Sequence, residues 1–339
     1  MANIIFRADG DSRSGLGHVV RSLALAGMMN NDFDCVFVIR NPAKELADQI
    51  LTVCKSLKVI SDQIPYQQEA AFLATEMVTM NDIMVLDGYD FNTEYQKTIM
   101  QTGCKLVCID DIHAYHFVAN IVINHAISAE RKKYSVEDYS LICLGFNFAL
   151  LRPTFQKNAV ARKKEGFNFN KNVFICLGGA DPTNELQQLL IKISNDNLSR
   201  QYQYFIVVGS AYNWFKELNE FIISRDINAK VFQNLDELSI FNLMHSCAIA
   251  ICSASTVSIE YLAIGGMLYL HNIAENQNEY YTKMLELTLA YPADTFPHNN
   301  MEVMANDLFK KHCDLIDGEQ KNRYLSLFKN INTSSYSVN

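Results

Sequence analysis

The sequence lacks the patterns that define several specialised classes of protein. No CxxC pair occurs among its nine cysteines, an odd number, and several of these cysteines lie in apolar, strand-like runs. Buried, reduced thiols in a cytosolic protein fit this spacing better than a disulfide framework or a zinc site. No apolar run approaches the ~20 residues of a membrane-spanning helix, and the first residues do not resemble a secretory signal. We therefore expect a cytoplasmic protein without a transmembrane segment.

Basic residues are too few for a typical nucleic-acid-binding protein. The chain has 29 Lys and Arg against 37 Asp and Glu, so its formal net charge is -8, whereas nucleic acids require a basic surface. The composition, with 49% hydrophobic and 19% charged residues, is that of a globular protein. A length of 339 residues favours two domains over one.

Strand-like and helical patterns alternate along the chain, which predicts an α/β fold. Short apolar runs such as Ile4–Arg7, Cys35–Ile39 and Ile83–Leu86 are separated by helical patterns, as in a parallel, doubly wound sheet. The alternation starts again with the strand-like NVFICLGG after Asn158–Lys171, a polar and basic stretch that indicates an irregular linker.

We predict two Rossmann-like, doubly wound domains that face a cleft. The first covers residues 1–155, and the second covers residues 170–339 and ends in a helical extension. Ligands of such sheets bind beyond the carboxyl ends of the strands. The side chains that follow strand-like runs in the first half are therefore expected to face one cleft: Asp9, Asp87, Asp110 and Asp111.

A glycine-rich turn follows the first strand, in the stretch FRADGDSRSGLGHVVRSLALAG. Gly15 and Gly17 allow the backbone to approach a ligand closely, and the free N–H groups of the following helix favour a phosphate. The stretch is not a dinucleotide fingerprint, because Val20 stands where a third glycine belongs and the second strand ends in Arg40 instead of an acidic residue. It is not a P-loop either, since no GK[ST] follows.

His18 comes directly after this turn. An imidazole titrates near pH ~6.5, so it can accept or donate a proton at cellular pH. The alternative is a histidine that packs at a helix N-terminus without a chemical role. Two adjacent glycines and nearby acidic residues favour a catalytic role over packing.

The second half contains a hydroxyl-rich loop that leads into a helix, SASTVSIEYLAIGG. Ser253, Ser255 and Thr256 could hold a pyrophosphate, and Glu260, one turn into the helix, could accept both hydroxyls of a ribose. Ser255 or Thr256 could equally serve only as a helix cap, with Glu260 as a solvated side chain. From this loop alone the two interpretations are equally supported.

Two further loops of the second half carry candidate binding residues. Gly178 and Gly179, in GGADPTNE, indicate close approach by a ligand or by the other domain. Asn276 and Gln277, in AENQNEY, offer paired donors and acceptors that suit sugar hydroxyls or acetamido groups. No metal-ligand cluster and no cofactor motif is apparent.

Together these motifs resemble a known enzyme family. RADGDSRSGLGHVVRSLALA is similar to the opening signature RxDxxxxxGxGHxxRxLxLA of the UDP-sugar hydrolases of pseudaminic acid biosynthesis, which act on UDP-2,4-diacetamido-2,4,6-trideoxy-β-L-altropyranose. LDGYD, IDD, GFNFALLRPTF, LGGAD, SASTVSIE and ENQ resemble later segments of that family in the same order. The resemblance covers about Ile4 to Asn278 and lies in the combination of motifs.

The resemblance implies a glycosyltransferase-B (GT-B) architecture, with two Rossmann-like domains and the active site between them. It implies that UDP is held by the second domain, with Glu260 on the ribose and the loop of Ser253, Ser255 and Thr256 near the pyrophosphate. It also implies that His18 activates or orients water at the anomeric carbon, and that Tyr89, Asn276 and Gln277 lie on the sugar side. The expected products are UDP and a free deoxy-diacetamido sugar, with no metal and no cofactor.

Two alternatives follow from the same scaffold. One is a GT-B glycosyltransferase with a UDP-sugar donor, although no acceptor site is apparent in the sequence. The other is a non-catalytic nucleotide-sugar-binding protein of a glycan locus. Departures from the family pattern, such as Phe148 in place of tyrosine, leave the exact sugar open, so another UDP- or nucleotide-linked diacetamido sugar is an alternative substrate.

Overall fold

The structure, a computed structural model, describes residues 3–10, 16–197, 199–209 and 211–333, apart from the side chains of residues 160 and 162–165. Its contacts divide the chain into two compact units. Unit 1 comprises the described residues of Met1–Gly10, His18–Pro153 and Glu319–Asn339, and unit 2 comprises those of Asp11–Gly17 and Thr154–Gly318.

Unit 1 is built on a parallel sheet of seven strands in the order β3-β2-β1-β4-β5-β7-β9. Its strands are Asn3–Ala8 (β1), Asp34–Arg40 (β2), Ser56–Ile60 (β3), Ile83–Asp87 (β4), Lys105–Ile109 (β5), Ile121–Asn124 (β7) and Leu141–Leu144 (β9), with a small separate pair formed by His116–Phe117 (β6) and Ser135–Val136 (β8). Its helices are Gly17–Met29 (α1), Lys44–Val53 (α2), Tyr66–Glu76 (α3) and Thr93–Met100 (α4).

Hydrophobic composition explains why these segments form the central sheet. All five residues of β4 are buried, and a parallel strand covered on both faces requires such a continuous apolar run. The strand order places β1 and β4 side by side at the centre and winds outward in both directions, so right-handed crossovers put helices on both faces. The carboxyl ends of β1, β4, β5 and β7 therefore meet at one edge.

Unit 2 repeats this topology with six parallel strands in the order β12-β11-β10-β13-β14-β15. Its strands are Asn172–Cys176 (β10), Gln203–Val208 (β11), Ala229–Gln233 (β12), Ile249–Ser253 (β13), Met267–His271 (β14) and Tyr291–Pro292 (β15). Its helices are Pro153–Glu165 (α5), Glu185–Asn195 (α6), Phe215–Ser224 (α7), Glu237–His245 (α8), Thr256–Ile264 (α9), Asn278–Glu286 (α10) and Met301–Leu315 (α11). The predicted fold class, α/β with two Rossmann-like, doubly wound domains, is confirmed.

Two segments differ from the expectation. The stretch predicted as an irregular linker begins inside α5, whose first residue is Pro153. Proline suits the first turn of a helix because its φ is already helical, and the Ala, Arg, Lys and Glu residues that follow favour helix over irregular chain. The polar segment therefore begins as a helix and not as an irregular connection.

The last helix, Gln320–Thr333 (α12), groups with unit 1, whereas the predicted division assigned residues 170–339 to the second domain. Gln320 Nε2 donates to the carbonyl of Phe146 at 3.1 Å, and Tyr324 Oη donates to the carbonyl of Phe148 at 2.7 Å. The ring of Phe148 also packs against Tyr324. These contacts hold α12 on the segment that precedes α5. Among the described residues, no helix has the length and apolarity to cross a bilayer.

Gly178 and Gly209 shape the loops at the carboxyl edge of the unit 2 sheet. Gly178, after β10, has a φ of 107°, a conformation that side chains rarely adopt. Gly209, after β11, lies so close to the preceding loop that a Cβ on it would stand 2.6 Å from the carbonyl oxygen of Gly179 and 2.8 Å from its Cα. The two loops can approach in this way only if residue 209 has no side chain.

We predict that Gly209→Ala lowers the free energy of unfolding by about 1–3 kcal/mol, the usual cost of inserting a methyl group into a packed site. Thermal unfolding followed by circular dichroism measures the change. Gly17→Ala is the control, since no described atom lies within 4 Å of the position that its Cβ would take. Equal stability of the two variants would contradict the close approach.

Candidate functional site

The N-terminus of α1 holds His18 at the carboxyl edge of the unit 1 sheet. Gly17 is the first residue of the helix and His18 the second. The imidazole is 6% exposed, so it is packed within unit 1 instead of extending into water. Gly15, the other predicted glycine of the turn, lies outside the described residues.

His18 is bonded to Asp87, the last residue of β4. His18 Nδ1 lies 2.7 Å from Asp87 Oδ1, and the carboxylate is completely buried. No hydrogen-bond partner of His18 Nε2 occurs among the described residues. The sheet edge and the helix N-terminus thus produce a histidine–aspartate pair with one ring nitrogen available.

Arg21 joins this pair to the next strand. Its Nε donates to both oxygens of Asp87, at 3.0 and 2.8 Å, and its Nη2 donates to Asp87 Oδ1 at 2.6 Å. Its Nη1 donates to Asp111 Oδ2 at 2.9 Å, just beyond β5. Ser22 Oγ completes the set around Asp87 at 3.2 Å.

The charge of Arg21 determines the protonation of Asp87. Burial alone would raise the pKa of the Asp87 carboxyl, but Arg21 and the hydrogen bond from His18 more than offset burial, so the pKa is lowered. Burial likewise acts to lower the pKa of Arg21, and the charges of Asp111 and Asp87 outweigh it and raise that pKa. Asp87 therefore stays ionised although no water reaches it.

Tyr89 covers one side of the imidazole. Its ring meets the His18 ring edge-on, with centroids 4.6 Å apart, and its hydroxyl lies 3.4 Å from Asp111 Oδ2. The structure thus brings together two of the predicted residues, His18 and Tyr89. Asp87 and Asp111 were predicted to lie at the same edge of the sheet, and both of them bond to Arg21 there.

Asp110 and His125 are near this group but bond elsewhere. Asp110 accepts the backbone N–H of His113 at 2.7 Å, and burial raises the pKa of its carboxyl. His125 Nδ1 accepts the backbone N–H of Leu150 at 3.1 Å. Burial, assisted by the charge of Arg21, lowers the pKa of His125 to about 4, so this imidazole is neutral at neutral pH.

Asp9 belongs to a second buried network, on the other side of β1. Its Oδ2 accepts from Arg7 Nη2 at 2.6 Å, and its Oδ1 accepts the backbone N–H of Arg40 at 2.9 Å. Arg7, completely buried, also donates to both oxygens of Glu69, at 2.7 and 3.1 Å. Arg40 Nε and Tyr95 Oη donate to Glu69 as well. Both oxygens of Asp9 thus have protein partners that fix the end of β1.

In unit 2, the hydroxyl-rich loop lies where β13 ends and α9 begins. Ser255 occupies the cap position of α9, but its side chain accepts no hydrogen bond from the helix backbone. Its hydroxyl lies 2.8 Å from that of Ser253 instead. Thr256 is the first residue of α9. The Ser255 side chain therefore bonds to Ser253 and not to the first N–H groups of α9.

Glu260 lies in the same helix and is 2% exposed. A solvated side chain, one of the two interpretations left open by the sequence, is therefore wrong for Glu260. Glu260 is therefore part of the packed interior of unit 2.

The loop after β10 holds Gly178 and Gly179 beside the start of α6. Both oxygens of Asp181 accept N–H groups of that helix, from Glu185 at 2.8 Å and from Leu186 at 2.9 Å. His271 Nε2, at the end of β14, lies 3.2 Å from Glu185 Oε2. No motif in the sequence indicated this last pair.

Asn276 and Gln277 lie between β14 and α10, in the short helical turn Glu275–Gln277. Gln277 Oε1 accepts the backbone N–H of Ile273 at 3.2 Å, and Asn276 is exposed. These two residues follow β14, and β14 pairs with β13, the strand that ends in Ser253. The predicted residues of unit 2 therefore come from neighbouring loops of one sheet edge.

Arg21 and Glu69 make the central hydrogen bonds of the two networks of unit 1. Neither residue was predicted from the sequence to have a role. A signal for Arg21 existed, because residues three and four apart on a helix share one face. His18, Arg21 and Ser22 have this spacing, and all three contact Asp87.

Comparison with known proteins supports the resemblance drawn from the motifs. The chain is 26% identical over 266 residues to the UDP-2,4-diacetamido-2,4,6-trideoxy-beta-L-altropyranose hydrolase of Campylobacter jejuni, covering 77% of this chain and 88% of that protein. It is 24% identical over 348 residues to an uncharacterised protein of Methanocaldococcus jannaschii, covering 95% of this chain. The chain spans 65% of the length of that relative. No protein-family model matches the chain.

Solved structures share the fold. MurG of Acinetobacter baumannii matches with a TM-score of 0.57 and 11% identity, over 98% of this chain and 100% of that one. A UDP-glucosyltransferase from Polygonum tinctorium matches with a TM-score of 0.57 and 10% identity, over 99% of this chain and 100% of that one. These likenesses establish the GT-B class of fold.

The network around Glu69 leads to a prediction about pH. Burial acts to raise the pKa of Glu69, but Arg7, Tyr95 and Arg40 outweigh it and lower the pKa. A carboxyl with a lowered pKa stabilises the fold above its unfolded pKa of ~4.3, and the contribution is lost as the pH falls. Glu69→Gln should cost about 3–5 kcal/mol at neutral pH, because it removes the buried negative charge to which both Arg7 and Arg40 bond.

Urea unfolding of both proteins between neutral pH and pH ~3 measures this effect, and the difference between them should shrink as the pH falls. Glu76→Gln is the matched control, an exposed glutamate of the same helix α3. A Glu69→Gln cost that stays constant with pH would contradict an ionised Glu69 in the fold.

Proposed function

We propose that the protein hydrolyses a UDP-linked deoxy-diacetamido sugar at its anomeric carbon, with UDP and the free sugar as products. UDP-2,4-diacetamido-2,4,6-trideoxy-β-L-altropyranose or a close relative is the proposed substrate, on a route to a nonulosonic acid such as pseudaminic acid. The similarity to the Campylobacter hydrolase over most of both chains supports this choice.

The observation that carries the proposal is the buried His18–Asp87 pair, in which Nδ1 contacts Asp87 and Nε2 has no hydrogen-bond partner among the described residues. In the proposed reaction, the oxygen of water attacks the anomeric carbon while Nε2 accepts a proton from the water. The bond between that carbon and the phosphate oxygen breaks, and UDP leaves with the electron pair. A positioned general base typically contributes 10²–10⁴-fold, and a good leaving group such as UDP requires little further assistance.

Unit 2 supplies the proposed nucleotide site. The uncapped N–H groups of α9 and the hydroxyls of Ser253, Ser255 and Thr256 suit a pyrophosphate. The carboxylate of Glu260 suits the two hydroxyls of a ribose, because an ionised carboxylate accepts hydrogen bonds and each hydroxyl can donate one. Gly178 and Gly179 leave room for the phosphates, and Asn276 and Gln277 are proposed sugar contacts with Tyr89.

We predict that the purified protein releases UDP from the altropyranose derivative without an added acceptor. His18→Ala should slow the release by about 10²–10⁴-fold, since it removes the base but leaves the nucleotide site. Chromatography of UDP measures the rate. Lys97→Ala is a control, because this lysine is exposed and pairs with Glu94 of its own helix, away from the group around His18.

Three outcomes would contradict the proposal. Release that requires an added acceptor would identify a glycosyltransferase. Binding of UDP without turnover, unchanged by His18→Ala, would identify a non-catalytic binding protein. Release from other UDP-sugars but not from diacetamido sugars would retain a hydrolase and refute the proposed substrate.

We also predict that Glu260→Gln weakens UDP binding by about 10–100-fold, the effect of losing charge-assisted hydrogen bonds of ~1.5–3 kcal/mol. Isothermal titration calorimetry with UDP measures the dissociation constant. Glu302→Gln, an exposed glutamate of α11, is the control. Unchanged UDP affinity in Glu260→Gln would exclude the ribose contact.

A further inference from the structure

We propose that Asp87 is the positioning residue that makes His18 a base, and that Arg21 and Asp111 balance the charge of the pair when a proton arrives. The proposal rests on the proposed function for its kinetic consequences, but its structural part can be tested without a substrate. It assigns roles to three residues that bond to one another within unit 1.

The first step concerns the tautomer of His18. An ionised carboxylate can only accept hydrogen bonds, so the 2.7 Å contact requires that Nδ1 carries the hydrogen and donates it to Asp87. Arg21 Nη2 lies 3.0 Å from the same Nδ1, but a protonated Nδ1 cannot accept from it. Arg21 Nη2 donates instead to Asp87 Oδ1, at 2.6 Å.

The tautomer determines which nitrogen can act as base. With the hydrogen on Nδ1, the lone pair of the neutral ring is on Nε2, the nitrogen without a partner among the described residues. Asp87 thus fixes both the orientation of the ring and the nitrogen that accepts a proton. The same arrangement orients the histidine of a Ser-His-Asp triad.

The second step concerns charge. The group contains two carboxylates, the buried Asp87 and the partly exposed Asp111, and one buried guanidinium, Arg21, which bridges them. With a neutral His18 the group carries one net negative charge, and it becomes neutral when Nε2 takes a proton. The proton that Nε2 takes up in the proposed reaction therefore meets a net negative charge instead of a net positive one.

Other titratable groups near the pair do not upset this balance. His125 is neutral at neutral pH, since burial lowers its pKa to about 4. Tyr89 presents its ring edge to His18 and its hydroxyl to Asp111. Asp110 bonds to the backbone of His113, and Ser22 contributes a neutral hydroxyl to Asp87.

The substrate-free test is a long-range ¹H–¹⁵N NMR spectrum of protein labelled at histidine nitrogens. The chain has eight histidines, and the signal of His18 is identified by its loss in His18→Gln. We expect the Nδ1–H tautomer in the wild-type protein and a shift toward the Nε2–H tautomer in Asp87→Asn. An Nε2–H tautomer in the wild type would overturn the proposal even if Asp87→Asn fails to fold.

The kinetic test is a double-mutant cycle of Asp87→Asn and His18→Gln, with UDP release as the readout. Alone, Asp87→Asn should lower kcat by about 10²–10⁴-fold and leave the UDP dissociation constant unchanged. On the His18→Gln background it should change the residual rate by less than about 3-fold, because its effect passes through His18.

Asp82→Asn is the matched control, since Asp82 lies just before β4 and its carboxylate bonds to Asn3 and Thr79, outside the group around His18. It should lower stability without a loss of kcat. An equal loss from Asp87→Asn in both His18 backgrounds would show that Asp87 is merely structural. Absence of UDP release in the wild type would refute the proposed function, and the NMR result would still decide the tautomer.

Discussion

A buried carboxylate imposes the main constraint on unit 1. Asp87 ends a strand whose residues are all buried, and an ion in such a place costs several kcal/mol unless partners replace the lost water. His18, Arg21 and Ser22 replace that water, and all three lie on one face of α1. The need to satisfy Asp87 therefore fixes the rotation of α1 on the sheet, and with it the direction of His18.

The network around Glu69 imposes a similar constraint on the other side of β1. Arg7, inside β1, and Arg40, at the end of β2, both bond to Glu69 of α3, and Asp9 ties the ends of the two strands together. Among the described residues, the two networks have no residue in common. One includes Asp9, just after β1, and the other includes His18, at the start of α1.

The sequence was sufficient for most strands, because they are short apolar runs, but not for β3, β9 or β15. It was also sufficient to place His18 at a sheet edge, because a histidine after two glycines at a strand end is unusual, and the chemical role of His18 stays a prediction. It could not select Asp87 from four acidic residues at the same edge. That choice depends on the order of the strands, which places β4 next to β1, and on a partner 69 residues away in sequence. The sequence also could not predict that α12 packs in unit 1, because a helical pattern does not specify the element against which the helix packs.

The division of roles that we propose between the units rests on their different polar groups. The sheet edge of unit 2 offers hydroxyls, helix N–H groups and the buried carboxylate of Glu260, which suit a nucleotide, whereas unit 1 offers a histidine bonded to a buried carboxylate, which suits proton transfer. A base that removes a proton from water needs the same features as one that removes it from a sugar hydroxyl. A GT-B fold can therefore support hydrolysis with the same kind of base, provided that water, and no acceptor sugar, occupies the position beside Nε2.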